Sequence, residues 1–336
     1  MKIANYYQVL DNGDIVCTLC PTQCILHKDC VGACKVRKRV NDKLYSLSYG
    51  KGIGFCIDPI EKKPLFHFYP GSPIFSFGTY GCNLQCKFCQ NDHLSNPLNI
   101  PDTEFIEPKL IIDTLIANNV EFLAFTYNEP NVSIEYLIET AKLAKENNIK
   151  TIAVTNGYIN KGPREDLYKY IDAVNVDLKS FDDSFYKNLC SANLYPILDT
   201  IKYIANTKNI WLEITNLVIP SFNDNLETIK TMIDWILNNL GQNVPLHFSS
   251  FFPAYKMKNI EPTSYSTLEA IHNIAKNMGI NYVYVGNVRN NIYQNTYCKK
   301  CGNVLIKRDS YIILENNIKI KDNSCPNCNT VCDGYF

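Results

Sequence analysis

Charge of neither sign is in excess in this chain: 33 Lys and Arg stand against 33 Asp and Glu over 336 residues. Proteins that hold DNA, RNA or an anionic membrane electrostatically carry a basic surplus, so the balance argues against those partners. Long apolar runs are missing too. None reaches the ~18 residues that a membrane-spanning helix needs. The stretch Met1 to Cys17 has no basic segment followed by an apolar one. No secretory signal is therefore expected, and the protein is expected in the cytoplasm. There is no internal repeat and no low-complexity tract. Nor is the chain short of apolar side chains, as a disordered one would be: 46% are apolar and 12% aromatic.

Cysteine is what the chain has in abundance, with 15 residues. Length and the missing export signal argue against a disulfide framework. Grouping argues harder. Cys17, Cys20, Cys24, Cys30 and Cys34 lie together, then Cys82, Cys86 and Cys89, then Cys298, Cys301, Cys325, Cys328 and Cys332; only Cys56 and Cys190 stand alone. Cysteines two or three residues apart chelate a metal easily and bridge one another poorly. The reading is a metal-rich protein.

The chain divides into three parts. Residues 1–72 read as an irregular cysteine-rich segment, in which Gly50, Gly52 and Gly54 suggest a hairpin turn rather than a nucleotide loop. From residue 73 to 292, short apolar runs alternate with amphipathic stretches. Strands are expected at 74–79, 122–126, 151–155, 173–178, 210–219, 245–249 and 282–285. Helices are expected at 107–118, 133–147 with Ser133 as cap, 162–170, 182–189, 196–205, 225–239 and 264–278. Strands joined by helices of this length imply right-handed crossovers and a parallel sheet. The fold class is α/β, and six such units fit an open, partial (β/α)6 barrel. In such barrels chemistry sits at the carboxyl ends of the strands. Residues 293–336 form a third module, with strands near 304–306 and 311–314 between two CxxC pairs.

Cys82, Cys86 and Cys89 follow the first barrel strand directly. Three thiolates in one short loop suit a soft metal centre. A structural zinc wants four ligands; no fourth cysteine is near, and His93 is the one local candidate. Three ligands leave one iron of a four-iron cluster open to a substrate.

The run CNLQCKFC is similar to the CxxxCxxC signature of radical SAM enzymes. The runs CTLCPTQC, DPIEKKPLFHFYPGS, TYNEP, TNGYI, NVDLK, HFSSFFPAYKM and YVYVGN, with the paired terminal CxxC, resemble the AmmeMemoRadiSam system radical SAM enzymes. That family is related to the pyruvate formate-lyase activating enzymes. The resemblance implies a 4Fe-4S cluster on Cys82, Cys86 and Cys89. It also implies S-adenosylmethionine (SAM) on the open iron, and reductive cleavage to a 5′-deoxyadenosyl radical that takes a hydrogen from a substrate. It implies that Glu129, in TYNEP where the superfamily usually carries GGE, meets the SAM ammonium. Asn156 would contact SAM. Lys179 would neutralise its carboxylate, and Asp177 would meet its ribose or ammonium. Phe88, His247 and Asn287 would lie near the adenine nucleoside. Bland alternatives stand beside these: an Asp177–Lys179 ion pair, a turn at Asn156, a core histidine at His247, and a buried small hydrophobe or substrate-side thiol at Cys190.

The spacing of Cys298, Cys301, Cys325 and Cys328 is that of a zinc ribbon, where four thiolates close a tetrahedral site; the same geometry accepts a rubredoxin-like iron. Cys17, Cys20, Cys24 and Cys34, with Cys30 as a substitute, make a second four-ligand set. Zinc is expected there, with an auxiliary iron–sulfur cluster as the alternative. The resemblance implies a one-electron donor such as flavodoxin or ferredoxin, and Memo-like and AMME-type proteins as associates. The competing readings are an activase of a glycyl-radical enzyme and, from another class, a zinc-ribbon binding adaptor.

Overall fold

In the computed structural model of this chain, residues 1–289 and 292–336 are described. One eight-stranded sheet organises them: β1 (Ile53–Pro59), β2 (Pro73–Gly78), β3 (Phe122–Phe125), β4 (Lys150–Thr155), β5 (Ala173–Asp177), β6 (Trp211–Val218), β7 (Leu246–Ser250) and β8 (Val283–Gly286). Their order across the sheet is their order in the chain. β2 to β8 run parallel, and β1 pairs antiparallel with β2, Ile57 opposite Phe75. Strands such as β3 (Phe-Leu-Ala-Phe) and β7 are buried along their whole length. That is the pattern of parallel strands covered on both faces.

A helix follows each of β2 to β7: α1 (Pro108–Ala117), α2 (Ile134–Glu146), α3 (Lys161–Tyr168), α4 (Tyr195–Ala205), α5 (Leu226–Leu240) and α6 (Tyr265–Met278). α5 shows why they form. The Asn225 side chain accepts the N–H groups of Glu227 and Thr228, and Ile229, Met232, Ile233 and Ile236 make one buried face. Gly241, at φ +85°, ends it.

Several local expectations are corrected. Ser133 precedes α2 but does not cap it; its hydroxyl pairs with those of Ser48 and Thr79, and a 3-10 turn at Pro130–Ser133 leads into the helix instead. The helix expected at 182–189 is α-helical only at Asp183–Phe185 and continues as a π-turn through Tyr186–Cys190. Residues 1–72 are not irregular. They hold two small three-stranded antiparallel sheets, and β1 pairs with β2 across the boundary expected at residue 73. Gly50 to Gly54 leads into β1 and makes no hairpin, since the preceding strand Lys43–Ser46 pairs with Lys2–Ile3 and Arg37–Val40.

Both additions lie against the parallel sheet. Ala4, Ile15, Leu19, Leu26 and Leu44 join the main core. The buried Arg37–Glu135 ion pair, at 2.9 Å, ties the N-terminal segment to α2. At the other end, Phe66, Tyr282 and Tyr284 pack on Leu305, Ile306 and Ile318 of the C-terminal module, whose strands are Thr296–Tyr297, Val304–Asp309 and Ile312–Asn316. No helix among the described residues is long and apolar enough to cross a membrane.

Candidate functional site

A cavity of about 390 Å³ opens over the carboxyl ends of the parallel strands. Cys82, Cys86, Phe88, Cys89, Glu129, Asn156, Asp177, Lys179, His247 and Asn287 all line it. These ten side chains come from six strands or the loops after them. A parallel sheet brings them together because every strand ends on the same side.

The cysteine loop leaves β2 and is pinned by its backbone. Gln85 N–H donates to Cys190 O at 2.8 Å, Lys87 N–H to Leu189 O at 2.9 Å, and Asn83 Nδ2 to Tyr158 O at 2.6 Å. Burial pushes the Cys82 and Cys89 thiols up, in Cys82 with help from the Glu129 carboxyl. The Cys86 thiol is shifted down, first by a hydrogen bond from Cys190 and also by the Lys179 ammonium. Thiols pushed up by burial, as at Cys82 and Cys89, give up the proton when a cation replaces it. The three sulfurs of the loop do not crowd to one point. Among the described residues, the one group of three or more potential ligand atoms within 4.8 Å of one another is elsewhere. Three spread sulfurs suit a multi-iron centre better than a single ion. His93 is exposed and does not line the cavity, so it supplies no fourth ligand.

Glu129 follows β3. Its carboxylate accepts the Thr155 hydroxyl at 2.7 Å, Asn156 N–H at 2.8 Å and Asn131 N–H at 3.1 Å. Burial nonetheless pushes its pKa up to about 7 against those donors. It is a group that a buried cation would ionise. Two residues earlier, Tyr127 sits at φ +70°, a conformation costly for any residue but glycine. Asn91 donates to its carbonyl at 2.8 Å, and the Lys63 ammonium lies 5.3 Å from its ring centre. The loop thus keeps a glycine-like turn without glycine.

Asn156, after β4, reaches toward Cys82 Sγ (3.7 Å) and Asn83 Oδ1 (2.9 Å). Lys179 pairs with Asp177 at 2.8 Å. Burial alone would lower the Lys179 pKa, but Asp177 and Cys86 outweigh it and raise it. Phe88 stands 6.0 Å from that ammonium. His247 on β7 has Nε2 2.6 Å from Glu213 Oε2 and its ring stacked on Tyr284, so one ring nitrogen is already engaged. Asn287, at φ +59°, donates to Ser250 O at 3.1 Å. Cys190 is fully buried behind the loop and does not line the cavity.

Other residues in the cavity were not singled out as site residues by the sequence. Thr215 on β6 lines it with a buried hydroxyl that has no partner. Lys63, Gln294 and Tyr311 wall its far side, the last two from C-terminal segments. Inward alternation along Leu212–Leu217 was the available signal for Thr215 and the DPIEKKPLFHFYPGS run for Lys63; for Gln294 and Tyr311 there was none.

The group within 4.8 Å is Cys298, Cys301, Cys325 and Cys328. Cys298 Sγ lies 3.5 Å from Cys328 Sγ and Cys301 Sγ 3.7 Å from Cys325 Sγ. A tetrahedral ion with ligands at ~2.3 Å sets its sulfurs about 3.8 Å apart, so these four can hold a metal. Cys332 is buried beside them and outside the set; Cys30 and Cys56 are exposed. Cys17, Cys20, Cys24 and Cys34 line a second, smaller void.

Comparison with known proteins agrees with this geometry. Residues 77–236 match the Radical SAM superfamily. Over 335 residues the chain is 40% identical to an uncharacterized protein of Methanocaldococcus jannaschii, covering 99% of each. It is 27% identical over 162 residues to the pyruvate formate-lyase-activating enzyme of Clostridium pasteurianum, covering 47% of this chain and 67% of that one. The crystal structure of a radical SAM methyltransferase from Sphaerobacter thermophilus superimposes with a TM-score of 0.53 at 14% identity, over 70% of this chain and 71% of that chain; this likeness concerns the fold alone.

Proposed function

The chain belongs to one family with the Methanocaldococcus protein and carries a radical SAM domain, and from that premise we propose that it cleaves SAM reductively and draws a hydrogen atom from a substrate. What supports this most is that the ten motif residues line a single cavity. Cys82, Cys86 and Cys89 would hold a 4Fe-4S cluster. When bound, the cluster and SAM together supply the 5′-deoxyadenosyl radical. The protein binds and orients. Glu129 offers a carboxylate to the SAM ammonium, Lys179 an ammonium to its carboxylate, and Asp177 a second acceptor nearby. Phe88, His247 and Asn287 would form the nucleoside's surroundings, and the unpartnered Thr215 hydroxyl suits a ribose oxygen. Burial of Phe88, Glu129, Thr215 and His247 would help keep water from a reactive centre.

The electron would come from a one-electron carrier such as flavodoxin or ferredoxin. The C-terminal four cysteines would hold zinc. The resemblance to AmmeMemoRadiSam enzymes makes Memo-like and AMME-type proteins the associates to test, by copurification of genomic neighbours. A second reading, an activase of a glycyl-radical enzyme, draws on the similarity to the Clostridium enzyme; an adjacent glycyl-radical enzyme gene would favour it. The test of the main reading is anaerobic reconstitution with iron and sulfide, then SAM and dithionite. 5′-Deoxyadenosine and methionine should form, and not with Cys82→Ala. A protein containing zinc but no iron would leave only a ribbon-type adaptor.

A further inference from the structure

The second void, on the far side of the cysteine loop, is lined by Cys17, Cys20, Cys24 and Cys34 together with Arg37 and Asn83. Ala33 N–H donates to Cys24 Sγ at 3.4 Å. The void leaves about 20 Å³ for the centre of a water-sized body. That exceeds the ~10–15 Å³ that one water needs. Arg37 is 1% exposed, and its Nε has no partner although its other nitrogens bind Glu135 and Asn5 O. A buried, unpartnered guanidinium N–H beside four sulfurs calls for an anion in the void.

Zinc was expected here, and the geometry disfavours it. In the same molecule the C-terminal cysteines converge within 4.8 Å, whereas no three of these four do. One ion draws its sulfurs to about 3.8 Å. A cluster carries its thiolates on different irons and holds them farther apart.

We propose that Cys17, Cys20, Cys24 and Cys34 hold a second, fully ligated iron–sulfur cluster that passes electrons to the central site. The relay rests on the reading of that central site; the cluster does not. The two cysteine sets are adjacent. Asn83 lines the second void, follows Cys82 directly, and accepts from the Asn156 amide that also faces Cys82 Sγ. Gly81 approaches so closely that a Cβ on it would lie 2.5 Å from Cys34 O. Cys24 is partly exposed and Thr22 and Gln23 are exposed, so the second cluster would stand between solvent and the first. One electron would enter from a reduced low-potential carrier such as flavodoxin and move on to the central cluster, with no bond made or broken.

The full-length protein, reconstituted anaerobically, decides this by metal analysis and electron paramagnetic resonance. A Cys82→Ala, Cys86→Ala, Cys89→Ala variant should lose SAM cleavage yet keep iron and acid-labile sulfide in equal amounts. Cys20→Ser with Cys24→Ser should lose that iron. It should keep a reduced-cluster signal that SAM perturbs, keep dithionite-driven cleavage, and lose flavodoxin-driven cleavage. Zinc without iron in the triple variant overturns the cluster, even if the double variant fails to fold. Unchanged flavodoxin-driven turnover in the double variant overturns the relay. Iron in the triple variant, with no SAM cleavage by the wild type, would instead sink the reading of the central site.

Discussion

Glu129 should make SAM binding depend on pH in a way that one substitution removes. Burial holds its pKa at about 7 before a ligand arrives. The cation of SAM needs the carboxylate. With that pKa, about nine-tenths of the free protein is ready at pH 8 and about one-tenth at pH 6. The dissociation constant should therefore rise by about tenfold over that interval through this group alone. The sign follows from linkage: binding favours the ionised form, so it releases a proton below pH 7 and weakens as pH falls. SAM's own amine also titrates, so the informative quantity is the difference between wild type and Glu129→Gln. Anaerobic calorimetry in buffers of different ionisation enthalpy measures both affinity and proton release. Glu129→Gln should bind weakly at every pH, with the Glu129 part of the dependence gone. Parallel pH profiles for the two proteins would refute the argument, because they would mean that Glu129 is ionised throughout or does not face the cation.

Other outcomes follow from the geometry. Cys301→Ser, or a chelator, should release one metal ion from the C-terminal four cysteines and abolish hydrogen-exchange protection across residues 296–336, read by metal analysis and mass spectrometry. His67, buried with a pKa of about 4, binds Tyr284 and the Asp333 carbonyl at 2.6 Å each. A depressed histidine contributes stability that is present above pH ~6.5 and lost as pH falls toward 4, here roughly 3 kcal/mol; exchange protection near Asp333 should fall over that range, and not in His67→Gln. Gly81→Ala combines φ +90° with the clash at Cys34 O, and should lower the melting temperature and the iron content on both sides of the loop.

Much of the core could be read from the sequence, for a physical reason. Parallel strands and their crossover helices alternate two periods over long stretches, so 122–126 and 225–239 fell within a residue of Phe122–Phe125 and Leu226–Leu240. The edge strand β1 was not legible. Phe55, Cys56 and Ile57 along it are all exposed, so no alternation marks it, and Gly54 interrupts it. The N-terminal strands of two to four residues are too short for any period. Spacing singled out the central cysteines, and the family resemblance pointed to Glu129 and Lys179; the fold gathers all of them around one cavity. Spacing could not give Glu213, a single charge in an apolar strand that only the third dimension pairs with His247. Nor could it tell that four N-terminal sulfurs surround a void while four C-terminal ones meet at a point.

The wall of the cavity has its own consequence. Glu61 and Phe66, before β2, and Gln294 and Tyr311, from the far end of the chain, line it together. Arg308 joins them. It donates to Phe66 O at 2.9 Å, Gln294 O at 3.1 Å and the Thr296 hydroxyl at 2.8 Å, and stands 3.6 Å from Glu61. Both members of that pair are fully buried, and burial raises the Glu61 pKa despite Arg308. Arg308→Met would strand the carboxylate, at a cost of about 3–5 kcal/mol. The Glu61–Phe66 turn would loosen and water would reach the site, so 5′-deoxyadenosine formed without substrate should increase. Glu61→Gln with Arg308→Met leaves no buried charge and should recover part of the stability, while the three lost hydrogen bonds keep the wall loose. Thermal unfolding and the substrate-free cleavage rate read the two effects separately. Equal melting temperatures for wild type and Arg308→Met would show that this pair does not hold the wall. A lower melting temperature with no change in substrate-free cleavage would show that the wall does not keep water out.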